Sequence, residues 1–189
     1  MTRSFERRPV EATLLEHLIE LATRAPSAGK TQGWHVVALR DGDTDRFWRH
    51  TLPAERRRGF RWQGLLDAPV ILLPFADPGA YVDRYREPDK AQSGLGAGIE
   101  VWPAPYWTID ASMAVMTVLL AAEDAGLGAL FFGVFRGEDA LRGDLGVPDR
   151  LDLLGAIALG WPRRAEAEPG RSTARRRRSP AEVLHDGGW

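Results

Sequence analysis

Between Asp110 and Ala125 the chain is apolar on almost every side. Met113, Ala114, Val115, Val118, Leu119 and Ala122 leave no continuous polar stripe. A helix of that kind has to be buried from all directions. It predicts a fold wrapped around a central helix, with Asp110 as its N-cap and Gly126 as its stop. The elements that could wrap it are also legible. Trp34–Leu39, Ala68–Phe75, Leu130–Phe135 and Leu153–Leu159 read as strands, and Asp41-Gly42-Asp43 as a turn. Leu14, Leu15, Leu18, Ile19 and Ala22 recur at helical spacing, predicting an amphipathic helix over Thr13–Ala25 that Pro26 ends. Thr44–His50 and Glu138–Leu145 read as short helices. The strands do not alternate with helices as βαβ units would. The expected class is therefore α+β, with a central mixed or antiparallel sheet around a buried helix and flanking helices. A chain of 189 residues suits a single domain spanning 1–189.

Charge and composition narrow the function. The net charge is −1, which speaks against a nucleic-acid partner. Only Lys30 and Lys90 are lysines; the other cations are arginines, a side chain suited to holding anions. There is no cysteine, so a thiol nucleophile, a disulfide and a thiolate metal site are excluded. His17, His35, His50 and His185 are scattered without ligand spacing, so no metal is expected. Gly94-Leu95-Gly96-Ala97-Gly98 follows no strand and is not read as a dinucleotide fingerprint. No apolar run reaches membrane length, so the expectation is a cytoplasmic protein without a membrane partner.

Two segments carry the chemistry. The first is Arg24-Ala25-Pro26-Ser27-Ala28-Gly29-Lys30-Thr31-Gln32-Gly33-Trp34, small hydroxyl, amide and glycine residues between a helix and a strand. Small side chains let a flat polar ligand approach the main chain, and Ser, Thr and Gln can read its edge. The second runs from Asp77 to Tyr106. It lacks clear period, is rich in proline and glycine near its end, and leads into Trp107; Tyr81, Tyr85, Trp102 and Tyr106 are its aromatics. A loop that long is expected to be functional, and 77–107 is read as a substrate or lid region. Trp102, Tyr106 and Trp107 are its candidate substrate-binding residues, with packing alone as the competing role. The polar tail, 163–189, is read as a C-terminal arm.

Four segments together resemble the FMN-dependent nitroreductase family: Ala25–Trp34 after its helix, Asp110 through Gly126-Leu127-Gly128, Phe131-Phe132-Gly133-Val134-Phe135, and Leu159-Gly160-Trp161-Pro162 with the arginine run and Glu182-Val183-Leu184-His185 behind it. Their order and spacing match along nearly the whole chain, most closely in a short-chain subgroup of high-GC bacteria. The resemblance implies a homodimer with two FMN sites, each built from both chains. Pro26, Ser27 and Ala28 would line one edge of the flavin. Lys30 and Gln32 would reach toward a flavin, Gln32 toward the partner's; the family usually has Asn where Lys30 stands. The Gly133 N–H would face flavin N5, with Phe131 and Phe132 packed on the ring. Arg176 and Arg178 would hold the phosphate. The family usually begins with a longer helix carrying an Arg-Arg-Ser motif, of which Arg3 and Ser4 would keep part. The implied activity is ping-pong transfer of hydride from NADH or NADPH, through FMN, to a nitroaromatic or quinone-like acceptor. No side-chain acid or base is implied. A flavin-dependent dehydrogenase or desaturase of a small metabolite and a non-catalytic flavin-binding member stay open beside it.

Overall fold

The structure is a computed structural model that describes residues 1–163, 170 and 172–189. The arm read over 163–189 therefore lies partly outside the described residues. Helix α1 (Ala12–Ala22) leads through a short loop to β1 (Trp34–Arg40). Two helices follow, α2 (Thr44–Thr51) and α3 (Ala54–Arg57), then β2 (Val70–Ala76), α4 (Pro78–Arg86) and the long α5 (Tyr106–Asp124). β3 (Gly128–Phe132), α6 (Glu138–Leu145), β4 (Asp152–Leu153) and β5 (Ala156–Gly160) complete the order.

The strands form one sheet in the order β1-β2-β5-β3, with β4 paired to the end of β2. The pairs are antiparallel throughout, which meets the expected α+β class. All seven residues of β2 are buried, so its apolar run serves both faces. Val70 and Leu72, with Ile157 and Leu159 of β5, pack under α1 and α5 through Leu15, Leu18, Ala114, Val115, Val118 and Ala122. Ile71, Leu73 and Phe75 face the other way, onto Phe5, Phe47, Trp48, Leu65 and Leu141. The sheet is thus the middle of three layers.

Several boundaries differ from the sequence reading. α1 ends at Ala22, three residues early, because the residue before a proline is pushed out of the helical region and the chain unwinds ahead of Pro26. The stretch after Asp77 is not one aperiodic loop. Its first third is α4, with Pro78 in the first turn and the Asp77 carboxylate accepting the Ala80 N–H at 3.3 Å. α5 begins at Tyr106, one residue past Pro105, so Asp110 is an interior helical residue and not an N-cap. Its end is as expected: Gly126 takes φ 75°, Leu127 N–H donates to the Ala122 carbonyl and Gly126 N–H to that of Glu123. Nor is α5 buried all round. Ile109, Met116 and Leu120 form an exposed stripe, with Leu120 59% accessible. β3 starts earlier than Leu130 and ends at Phe132, and the expected Leu153–Leu159 strand is two strands separated at Gly155, where φ is 142°.

Candidate functional site

Phe131 and Phe132 alternate across β3, so they face opposite layers. Phe131 packs on the α1–α5 side and Phe132 on the α2–α6 side. The Phe132 ring stacks on Trp48 at 6.2 Å between centroids and meets Phe47 edge-on at 5.9 Å. Beyond Phe132 the chain leaves the sheet, and the turn Gly133-Val134-Phe135-Arg136 forms one wall of a cavity of about 520 Å³. α2 and α3 form the opposite wall, and the N-terminal segment lines its side, held along β3 by the Thr2 N–H donated to the Ala129 carbonyl. The volume is in the range of small-molecule sites, about 300–1,000 Å³. At Gly133 the Phe135 ring lies close over the main chain, so that a Cβ there would come within 2.7 Å of the ring and push it aside. Arg3 reaches the same cavity with its guanidinium 5.1 Å above the Trp62 ring. Three residues predicted to hold the cofactor, Arg3, Phe132 and Gly133, thus line one space. Phe131 and Phe132 both touch this cavity, Phe132 with its ring stacked on Trp48 and Phe131 with its side chain packed toward the other layer.

The loop between α1 and β1 lies elsewhere. It leads into β1, at the sheet edge opposite β3. The row Phe131, Ile157, Leu72, Ala38 crosses all four main strands. Three inter-strand steps put about 14 Å between its ends. Pro26, Ser27, Ala28, Lys30 and Gln32 are therefore not brought to Gly133 within one chain.

The loop's own geometry is unusual. Gly29, Lys30 and Gln32 all take left-handed backbone angles, with φ of 60°, 56° and 52°. For side chains with a Cβ this is strained, and such residues concentrate at functional sites. Its polar groups hold it in that shape: the Ser27 hydroxyl accepts the Gln32 N–H at 3.0 Å, the Thr31 hydroxyl donates to the Ala28 carbonyl at 2.6 Å, and the Gln32 amide donates to the Thr23 carbonyl at 2.9 Å.

Asp110 anchors the loop from outside, a role that sequence reasoning missed. Only 3% exposed, it accepts the Ala28 N–H and the Tyr81 O–H, each at 2.7 Å. Among the described residues no cation pairs with it. Burial, and then the bond to Asp110, push the Tyr81 hydroxyl well above the usual phenol range. Tyr81 lies against Gly33, where a Cβ would come within 2.6 Å of its ring, and Arg84 donates to the Gly29 carbonyl at 2.9 Å. A lone Asp one turn into an apolar helix was the available signal.

The aromatics of 77–107 gather into a cluster next to this anchor. Trp102 is 8% exposed, packs edge-on against Tyr81, Tyr85 and Trp107, and donates its indole N–H to the Leu95 carbonyl. Its placement is that of a packing residue. Tyr106 and Trp107, in the first turn of α5, are more accessible. Arg176 and Arg178 both engage Glu182 within the C-terminal arm, Arg176 in a two-pronged pair at 2.7 and 2.8 Å. That pair, with bonds from Ser179, holds the Glu182 carboxyl down to about 2. Among the described residues no group of acidic or histidine side chains has the arrangement of a metal site. No helix of the described residues is long and apolar enough to cross a membrane.

A model of the nitroreductase family matches residues 1–161. The chain belongs to the nitroreductase family. Among relatives of known name, an NADH dehydrogenase from Thermus thermophilus is 29% identical over 174 residues, covering 85% of this chain and 81% of that protein. Solved nitroreductases share the fold. CinD from Lactococcus lactis in complex with 4-nitrophenol superimposes with a TM-score of 0.75 at 17% identity, over 98% of this chain and 93% of that one. An FMN-dependent nitroreductase from Clostridium difficile does so with a TM-score of 0.65 at 18% identity, over 100% and 94%. Membership in the family makes the protein an oxidoreductase. The matched span holds both the Asp110 anchor and the aromatic cavity, and ends just before Pro162.

Proposed function

We propose that this nitroreductase binds FMN in the aromatic cavity and moves reducing equivalents from NADH or NADPH to a flat nitroaromatic or quinone-like acceptor. The single observation carrying the reading is that Arg3, Phe132 and Gly133, assigned to the cofactor on separate sequence motifs, line one cavity. The cavity suits the group chemically. Its walls are aromatic, Arg3 supplies a cation, and the buried indole N–H of Trp48 has no acceptor among the described residues. The FMN-dependent relative of the same fold supports the choice of flavin.

Bound FMN would accept a hydride equivalent from the nicotinamide and return it to the acceptor, so the hard chemistry is the cofactor's. The protein's part is placement. The Gly133 main chain, free of a side chain, lets a ring come close. Phe132 and Trp48 hold the wall rigid behind it. Arg3 stabilises negative charge at the ring or phosphate. The Ser27–Gln32 loop, on the opposite sheet edge, serves the cavity of a second copy, and the exposed Ile109, Met116 and Leu120 stripe is the apolar surface that copy covers. We therefore read the working unit as a homodimer, active in the cytoplasm. Arg176 and Arg178 would close on the phosphate by exchanging Glu182 for it.

The test is the visible absorption of the purified protein after desalting, with and without added FMN, and then under anaerobic NADH or NADPH. A retained flavin band that bleaches is expected. A colourless protein that fails to keep added FMN overturns the reading.

A further inference from the structure

Many of the described arginines have a carboxylate partner. Arg46 meets Asp144, Arg57 meets Asp45, Arg84 meets Asp89 and Arg142 meets Glu138. The arginines of the aromatic cavity are not among these pairs. Arg3, Arg56 and Arg136 line it, and among the described residues no Asp or Glu does. Among the described residues none of these three has a carboxylate partner. A cleft with cations of one sign and apolar walls concentrates field and attracts the opposite charge.

The FMN reading uses Arg3. It leaves Arg56, on α3, and Arg136, past β3, both exposed at the rim. Between them in character is Phe135, 91% exposed with its ring laid over Gly133. The turn that carries Phe135 and Arg136 ends close to α2, where Gly137 leaves no room for a Cβ beside the His50 carbonyl. A large ring left in water beside two unpaired guanidiniums stabilises nothing in the free chain. Each feature gains a partner from one kind of molecule, a planar aromatic carrying an anion. The ring covers Phe135, and the charge meets the two forks.

We propose that the rim of the cavity, Phe135 with Arg56 and Arg136, selects flat aromatic anions as the second ligand of this site. For turnover this rests on the FMN reading; for binding it does not. The probes are 2-naphthoate and its neutral isostere 2-naphthamide, titrated calorimetrically into the purified protein, with flavin content read from the absorbance of the same sample. The carboxylate is expected to bind about tenfold tighter at low salt. The preference should shrink as salt rises and vanish in the Arg56→Gln/Arg136→Gln double variant, while Phe135→Ala weakens both probes alike.

Equal affinity for the two probes, or a preference that survives the double variant, overturns the proposal. Both substitutions are at exposed positions; circular dichroism of the variant checks the fold. In flavin-loaded protein the ratio of kcat/KM for 4-nitrobenzoate over 4-nitrobenzamide gives a second reading of the same quantity. A yellow enzyme that reduces a neutral quinone yet ignores the carboxylate sinks this inference and leaves FMN standing. A colourless protein that prefers naphthoate does the reverse.

Discussion

Lys30 and Gln32 occupy backbone angles that cost a residue with a Cβ about 1–2 kcal/mol each. Asn tolerates that region far better, which gives a backbone reason for the Asn usual at the place of Lys30 in the family that the chain resembles. Lys30→Asn should therefore raise unfolding stability by about 0.5–1 kcal/mol, read as a higher urea midpoint at unchanged slope. If the ammonium also contacts flavin, FMN affinity falls in the same variant, so the two roles separate. Asp110 makes the opposite case. Asp110→Ala strands the Ala28 N–H and the Tyr81 O–H, at a cost of about 3 kcal/mol or more, whereas Asp110→Asn keeps an acceptor and costs much less. Tyr81→Phe and Asp110→Ala share one bond, so their effects should fall short of adding in the double variant. The hydroxyl gives a pH test as well. Its folded value is raised above the unfolded one of about 10. The stability it contributes is therefore complete below that pH and is lost progressively above it. Tyr81→Phe should leave the phenolate absorbance at pH 11 unchanged in folded protein, because Tyr81 is still protonated there; a smaller signal in the variant would refute this.

Helices and strands were unequally legible, and the misses have specific causes. Periodicity, which located α1 by its recurring apolar face, was not what marked the short helices α2 and α6. It failed at α4, where Pro78-Gly79 reads as a breaker although proline suits a helix's first turn. It misplaced the start of α5 because Pro103, Pro105 and three aromatics look like loop, and the true first turn is Tyr106 and Trp107. Most instructive is the central helix. Its all-round apolar character predicted complete burial, yet Ile109, Met116 and Leu120 are open in the single chain. Sequence reports that a face avoids water, not which molecule covers it. Leu120→Glu with Met116→Glu should thus leave the monomer's stability within about 0.5 kcal/mol, as exposed substitutions do. The same pair should abolish the proposed dimer, seen as a halved mass in sedimentation. A dimer that persists would place the interface elsewhere.

At the scale of the whole molecule, the motifs announced the ingredients of a site but not their distribution. Arg3, Phe132 and Gly133 come together because β3 and the N-terminal segment run side by side. The Ser27–Gln32 loop joins the other edge of the sheet, a separation set by strand order, which no local pattern encodes. The cation-rich rim was likewise invisible, since Arg56 and Arg136 are 80 residues apart and their unpaired state depends on where every carboxylate falls.

In the homodimer that we propose, dividing each site between opposite sheet edges would have a genetic consequence. One copy crippled at Asp110, so that its loop is slack, still offers a sound cavity. Another crippled at Gly133 still offers a sound loop. Each alone makes a dead homodimer. Expressed together they pair at random, half the dimers are mixed, and in each mixed dimer one of the two sites draws its loop and its cavity from the undamaged halves. About a quarter of normal activity should return from two null alleles.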